Sequence, residues 1–212
     1  MTPPPSHETS RREYKKAQTR ETLILESQSL FATRGYSATT LEDIATRAGI
    51  TVQTLLRYFD SKAHLALTPL SAPLEHFERS LVTRDHGLDT LSAWRLHVES
   101  EALGVAKPSE GSTLTYLTNL RAYQDWDRKD PALVAALSDV DFRLQECLSR
   151  SLALDAGVAP DDLHSTLVAA MLVAGRRAIW NHWLVNGGDT ATLVSDHMAV
   201  IEQAASLPRR VS

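Results

Sequence analysis

Seven consecutive residues, Thr51-Val52-Gln53-Thr54-Leu55-Leu56-Arg57, carry the most pointed chemistry in the chain. Wound as a short helix with Leu55 inward, they turn Thr51, Val52, Gln53, Thr54 and Arg57 outward. The outward set is uncharged side chains, mostly hydrogen-bonding, plus one cation, with no carboxylate among them. Such a helix is short enough to sit N-terminus first in a major groove, where donors and acceptors meet base edges. An ordinary αα-corner would carry arbitrary solubilising Glu and Lys at those positions.

Other chemistries find little support. Eight histidines occur, none in HExxH spacing, and no phosphate-cradling or nucleophile-elbow glycine motif is present. The single cysteine, Cys147, excludes an intramolecular disulfide framework and a cysteine-based zinc ribbon. It falls on an apolar helical face and reads as a small buried hydrophobe. We therefore expect no catalytic residue, no metal and no cofactor. The competing readings are a helical-bundle enzyme, betrayed by turnover of a pocket ligand, and a helical adaptor that does not bind DNA.

The elements that must position Thr51 to Arg57 are legible on either side. Ile44-Ala45-x-x-Ala48-Gly49-Ile50 followed by Leu55 and Tyr58 is the skeleton of a helix-turn-helix. Ala45 is small enough for a steep crossing, Gly49 takes the bend, and Ile44, Ala48, Ile50 and Leu55 share a core. A first helix fits Tyr14 to Arg34, with Gly35 ending it and Tyr36 folding back onto Phe31. Thr39 as N-cap and Glu42 three residues on form a capping box for the second helix. Thr51 caps a third helix running to about Phe59, and Asp60 a fourth beginning at Ser61. Helical text then continues, with breaks at Pro69 and Pro73, His86-Gly87, Lys107 to Gly111, Asp130-Pro131, Gly157 to Pro160, Gly187-Gly188 and Pro208. No window has the alternation of a hairpin, so the expectation is an all-α protein of about nine helices.

Leu30-Phe31-Ala32-Thr33-Arg34-Gly35-Tyr36, Thr39-Thr40-Leu41-Glu42-Asp43-Ile44-Ala45, Ala48-Gly49-Ile50-Thr51 and Leu55-x-x-Tyr58-Phe59-x-Ser61-Lys62-x-x-Leu65 together resemble the DNA-binding domain of the tetracycline-repressor (TetR) family. The resemblance covers about residues 20 to 65. It implies a homodimeric, ligand-responsive transcriptional regulator, whose third helix reads a pseudo-palindromic operator in double-stranded DNA and whose later helices form the effector and dimer domain. A repressor released by a small molecule is the implied mode. By the same resemblance Thr40 donates to a phosphate, Thr51, Val52, Gln53, Thr54 and Arg57 face the groove, and Tyr58 and Lys62 grip phosphate. Two departures stand out: Leu56 replaces the family's usual aromatic, and Ala63 replaces the Glu that usually follows the lysine.

Charge divides the chain the same way. Net charge is −4 overall, yet residues 1–65 hold nine Lys/Arg against seven Asp/Glu, and the rest thirteen against nineteen. From Ser10 to Arg20 five cations face one carboxylate. The division expected is a flexible basic arm over 1–19, a helix-turn-helix domain over 20–65, and a ligand-binding and dimerisation domain over 66–207. In that last part Trp94, His97, Tyr116, Tyr123, Phe142, Met171 and Trp180 can line an apolar pocket, joined by Trp126. Arg121, Arg176 and Arg177 can pair with an acidic ligand. The small-residue run Val168 to Gly175, with Val194, Met198 and Ile201, is the candidate dimer face on the last two long helices. With no apolar leader and no apolar run long enough for a bilayer, the protein is expected to be cytoplasmic, away from membranes.

Overall fold

The computed structural model describes residues 7–84, 87–106 and 130–206. The chain is all-α, and among the described residues eight helices and no strand occur. They are α1 (His7–Arg34), α2 (Leu41–Arg47), α3 (Val52–Leu55), α4 (Lys62–Thr83), α5 (Thr90–Ala106), α6 (Pro131–Ala156), α7 (Leu163–Asn186) and α8 (Thr190–Ala205). The helix expected over 112–126, with Tyr116, Arg121, Tyr123 and Trp126, lies outside the described residues.

Two sequence expectations about helix limits are corrected. α1 begins at His7, so from there on the arm expected over 1–19 is the first half of a 28-residue helix. Arg, Lys, Glu and Gln dominate that stretch and are strong helix formers whether or not they pack. Pro69 and Pro73 do not break the chain: α4 passes through both to Thr83. Each proline removes a backbone bond, but Leu65, Ala66 and Leu67 before them and Leu74 and Phe77 after them are buried. Packing on both sides outweighs the roughly 3 kcal/mol helix penalty of each ring.

Among the described residues two hydrophobic cores result. The larger joins the far half of α4 to α5, α6, α7 and α8, with Trp94 fully buried at its centre beside Phe77. Asp155 knots its far end, accepting from the Arg84 guanidinium at 2.6 Å and from the Thr90 N–H at 2.7 Å. The smaller core joins α1 to α3 with the start of α4, around Leu23, Leu30, Phe31, Ile44, Leu55 and Phe59. One residue from far along the chain completes it: Leu133, in the first turn of α6, is fully buried there, with Ala136 and Leu137 packed alongside. Among the described residues the bodies therefore meet twice, through continuous α4 and through the start of α6.

Candidate nucleic-acid interface

The turn between α2 and α3 is built from short-range chemistry. Gly49, at φ +69°, takes the left-handed bend, and the Ile50 N–H returns to the Ala45 carbonyl at 2.9 Å. Ala45 and Ile44 are buried at the crossing. The cap of α2 is one residue later than the sequence pattern indicates. Thr40 is the N-cap, its hydroxyl accepting from the Asp43 N–H at 3.1 Å, while the Asp43 carboxylate accepts the Thr40 N–H at 2.9 Å and its hydroxyl at 2.8 Å. Thr39 is buried instead, donating to the Gly35 carbonyl at 2.8 Å. The Thr40 N–H bond, its hydroxyl and nearby Arg34 hold the Asp43 carboxyl below its ordinary range. The Thr40 hydroxyl proton expected on a phosphate is thus engaged by Asp43.

Thr51 caps α3, its hydroxyl accepting from the Thr54 N–H at 3.1 Å and sitting 2.9 Å from the Thr54 hydroxyl. The helix ends at Leu55 rather than near Phe59; the chain then tightens, with the Arg57 N–H on the Thr54 carbonyl and the Tyr58 N–H on that of Leu55. Leu55 is fully buried, which fixes the opposite side of α3 outward. Thr51, Gln53 and Arg57 are exposed, while Val52, Thr54 and Tyr58 are half-buried. Leu56 leaves an apolar side chain 44% exposed in the same surface.

Ser61, not Asp60, caps α4, accepting from the His64 N–H at 3.0 Å. Asp60 pairs with the His64 ring at 3.5 Å. Ala63 is buried in the small core, where a Glu would have no room to stay solvated. Lys62 is placed differently from its expected phosphate grip. Its ammonium donates to the Tyr36 and Thr39 carbonyls, both at 3.0 Å, and stands 4.1 Å from the centre of the Tyr36 ring. All three of its protons therefore have internal partners. Burial pushes Lys62 below the ordinary lysine range, with the Asp130 carboxylate pulling the other way. Burial and that same carboxylate push the Tyr36 phenol up to about 12. Asp130 is the N-cap of α6, accepting from the Ala132 and Leu133 N–H groups at 2.9 and 3.1 Å. Sequence reasoning missed Asp130 and Leu133 as head residues, because nothing local to 130–133 points to a partner seventy residues earlier.

A surface of this kind has counterparts. Residues 23–68 match the family model described as bacterial regulatory proteins, tetR family. Over 173 residues, 81% of this chain and 76% of the other, the sequence is 30% identical to the HTH-type transcriptional regulator TcmR of Streptomyces glaucescens. The chain belongs to the tetR family. It is a helix-turn-helix transcriptional regulator, as its relatives are. The HTH-type transcriptional repressor KstR2 of Rhodococcus jostii (strain RHA1) is 47% identical over 62 residues, 29% of this chain and 28% of that one. The crystal structure of Thermus thermophilus FadR, a transcriptional repressor in complex with lauroyl-CoA, shares the fold with a TM-score of 0.61. It is 20% identical, over 91% of this chain and 97% of that chain.

The regulator's larger body gathers some of the expected effector residues and separates others. Trp94, His97 and Trp180 come together: the His97 ring stacks on Phe77 with centroids 4.5 Å apart and lies 5.7 Å from that of Trp94. Between α5 and α7, Glu101 receives a two-pronged bond from Arg176 at 2.9 and 2.7 Å, with His97 3.7 Å away. Burial raises Glu101, but the guanidinium and its hydrogen bonds outweigh it and hold the carboxyl below its ordinary range. Burial pushes His97 down. The indole N–H of Trp94 is buried without a hydrogen-bond partner among the described residues, whereas that of Trp180 and Nε2 of His97 face the Glu101 carboxylate. Phe142 is 62% exposed, Met171 37% exposed, and Arg177 pairs with Asp141 at the surface. Glu101 escaped the sequence reading, although its place four residues after His97 on an apolar helix was the available signal.

Most of the dimer-face candidates are also corrected. Val168, Ala169, Leu172, Val194, Met198 and Ile201 are buried inside this one chain. The outward side of α7 is the row Leu163, Leu167, Met171, Ala174 and Ala178, at helical spacing, which keeps Met171 and Ala174 of the expected run. Among the described residues no helix is long and apolar enough to cross a membrane, and no group of His, Cys, Asp or Glu can hold a metal ion.

Proposed function

We propose that the regulator is a homodimeric repressor that reads a pseudo-palindromic operator through α3 and leaves it when a small apolar or amphipathic molecule binds the larger body. The observation that carries the reading is the exposed set Gln53, Arg57 and Leu56, held outward by buried Leu55 on a capped three-helix head. Gln53 has the donor–acceptor pair that bridges adenine N6 and N7, and Thr51 with Thr54 keeps one hydroxyl proton free for a base edge. One such helix covers too few base pairs for specific affinity, so two heads act together. The outward row on α7 supplies an apolar face for the second copy.

The effector site proposed lies between α5 and α7, around Trp94, His97 and Trp180, where the buried Trp94 indole N–H, without a partner among the described residues, favours a ligand with an acceptor atom on an apolar body. The fold relative that holds lauroyl-CoA makes that compound a first probe. Selection of bound DNA from a random pool tests the first half: half-sites one turn apart, roughly 34–36 Å, are expected. A monomer that binds one asymmetric half-site would refute it. For the second half, a tenfold loss of operator affinity needs about 1.4 kcal/mol of coupling, and operator must weaken ligand binding by the same factor. Equal ligand affinity with and without operator would refute induction by that compound.

A further inference from the structure

Trp94, His97 and Glu101 fall three and then four residues apart, so they line one side of α5. The row changes character along its length. At one end the Trp94 side chain is fully buried, its ring 5.5 Å from that of Phe77, and its indole N–H has no hydrogen-bond partner among the described residues. Seven residues on, about 10 Å along the axis, the Glu101 carboxylate is closed. The Arg176 fork takes both of its oxygens, at 2.9 and 2.7 Å, and the Trp180 indole N–H and His97 Nε2 face it as well. Both members of that pair are nearly out of solvent, with 13% of the Arg176 side chain and 8% of the Glu101 side chain exposed. Burial favours the neutral form of His97 between them. Among the described residues of the row and its facing helix, one carboxylate and one guanidinium therefore cancel.

We infer that the effector is read here as a neutral molecule: a carbonyl oxygen of a ketone, ester or thioester on an apolar body accepts the Trp94 N–H, and Glu101, by occupying Arg176, makes the site reject carboxylates. The inference rests on the effector site proposed above. A buried arginine with no carboxylate of its own would be a receptor for one, through two-pronged geometry. With Glu101 in the fork, an ionised ligand enters a low-dielectric site where its charge meets no countercharge. A cationic ligand fares no better, because both Glu101 oxygens are already taken. A carbonyl brings no net charge and satisfies the one buried N–H that folding leaves unpaired on this row. Glu101 is thus a specificity residue that acts through Arg176 and need not touch the ligand.

The test titrates the full-length protein by calorimetry near pH 7.5, where carboxylic acids are ionised. The probes are matched pairs: methyl decanoate against decanoate, and methyl 2-naphthoate against 2-naphthoate. Wild type should bind each ester about tenfold or more tightly than its acid. Trp94→Phe keeps a ring and removes the donor, and should weaken the esters about tenfold while leaving the acids as they were. Glu101→Gln keeps the shape and leaves the Arg176 charge unbalanced, so it should strengthen the acids about tenfold and invert the preference. Circular dichroism checks each fold, and Glu101→Gln with Arg176→Gln, which restores a neutral site, should restore the preference for esters. A merely structural role for the pair would change esters and acids alike and keep their ratio, which would overturn the inference. If the acids bind wild type as tightly as the esters and release operator DNA, the inference fails and the effector reading stands. If no member of either pair binds wild type, the inference falls together with the site.

Discussion

At the residue scale, Lys62 changes role. A lysine at the N-terminus of α4 beside a DNA-reading helix reads from sequence as a phosphate contact; the fold spends its protons on Tyr36, Thr39 and the Tyr36 ring. Nothing in the spacing shows this, because both carbonyls lie more than twenty residues earlier. Lys62→Gln should therefore cost about 1–3 kcal/mol of stability, seen as a lower urea midpoint, and leave the salt slope of operator binding unchanged. A reduced slope with unchanged stability would restore the phosphate role. Gln53→Ala should do the reverse: stability intact, and about 1–3 kcal/mol of base discrimination lost at one position per half-site. His97 and His197 are held below the ordinary histidine range by burial. Their unfolded forms take up protons first, so their stability contribution is complete above about pH 6.5 and declines as pH falls below it. Tm should be flat from pH 8 to 7 and drop toward pH 5, and His97→Gln should shallow that drop.

At the element scale, α7 and α8 approach closely at Gly175. A Cβ on Gly175 would stand 2.0 Å from Cε1 and 2.4 Å from Nδ1 of the His197 ring. Gly175→Ala should therefore destabilise by about 1–3 kcal/mol despite its gain in helix propensity, and His197→Ala in that background should recover most of the loss. Additive effects in the four-variant cycle would mean that the ring moves freely. The run Val168 to Gly175 was legible as a close-approach surface, but Val168, Ala169, Leu172 and Val173 pack into the core of the same chain and Gly175 meets His197 of α8. Small-residue spacing encodes proximity and not whose helix comes near. Caps were legible as residue types and off by one in register at Thr39 and Asp60, because neighbouring Thr40 and Ser61 also offer a side-chain oxygen that accepts from a first-turn N–H. Pro69 and Pro73 read as breaks in the sequence because the burial on either side of them is a tertiary fact.

At the scale of the whole molecule, the helix-turn-helix and the all-α body were legible, since local periodicity and caps encode both. The second joint was not: Leu133 reads as one more apolar position on a long helix, and only the fold sends it into the small core. Leu133→Ala should cost about 2–5 kcal/mol and fall mainly on the head. Calorimetry of the wild type should give one thermal transition, and the variant an earlier partial one; a single shifted transition would mean that the cores melt together regardless. The joint also bears on how such proteins exchange parts. A cut at residue 65 looks clean on the linear map, yet a graft made there inherits a foreign side chain in the centre of its three-helix bundle. The transferable unit is discontinuous: residues 7–70 together with 130–137, the short stretch holding Asp130, Leu133 and Leu137. Chimeras that carry both pieces should fold and keep the donor's operator preference, and chimeras that carry only the first should need compensating substitutions at 133 before they do either.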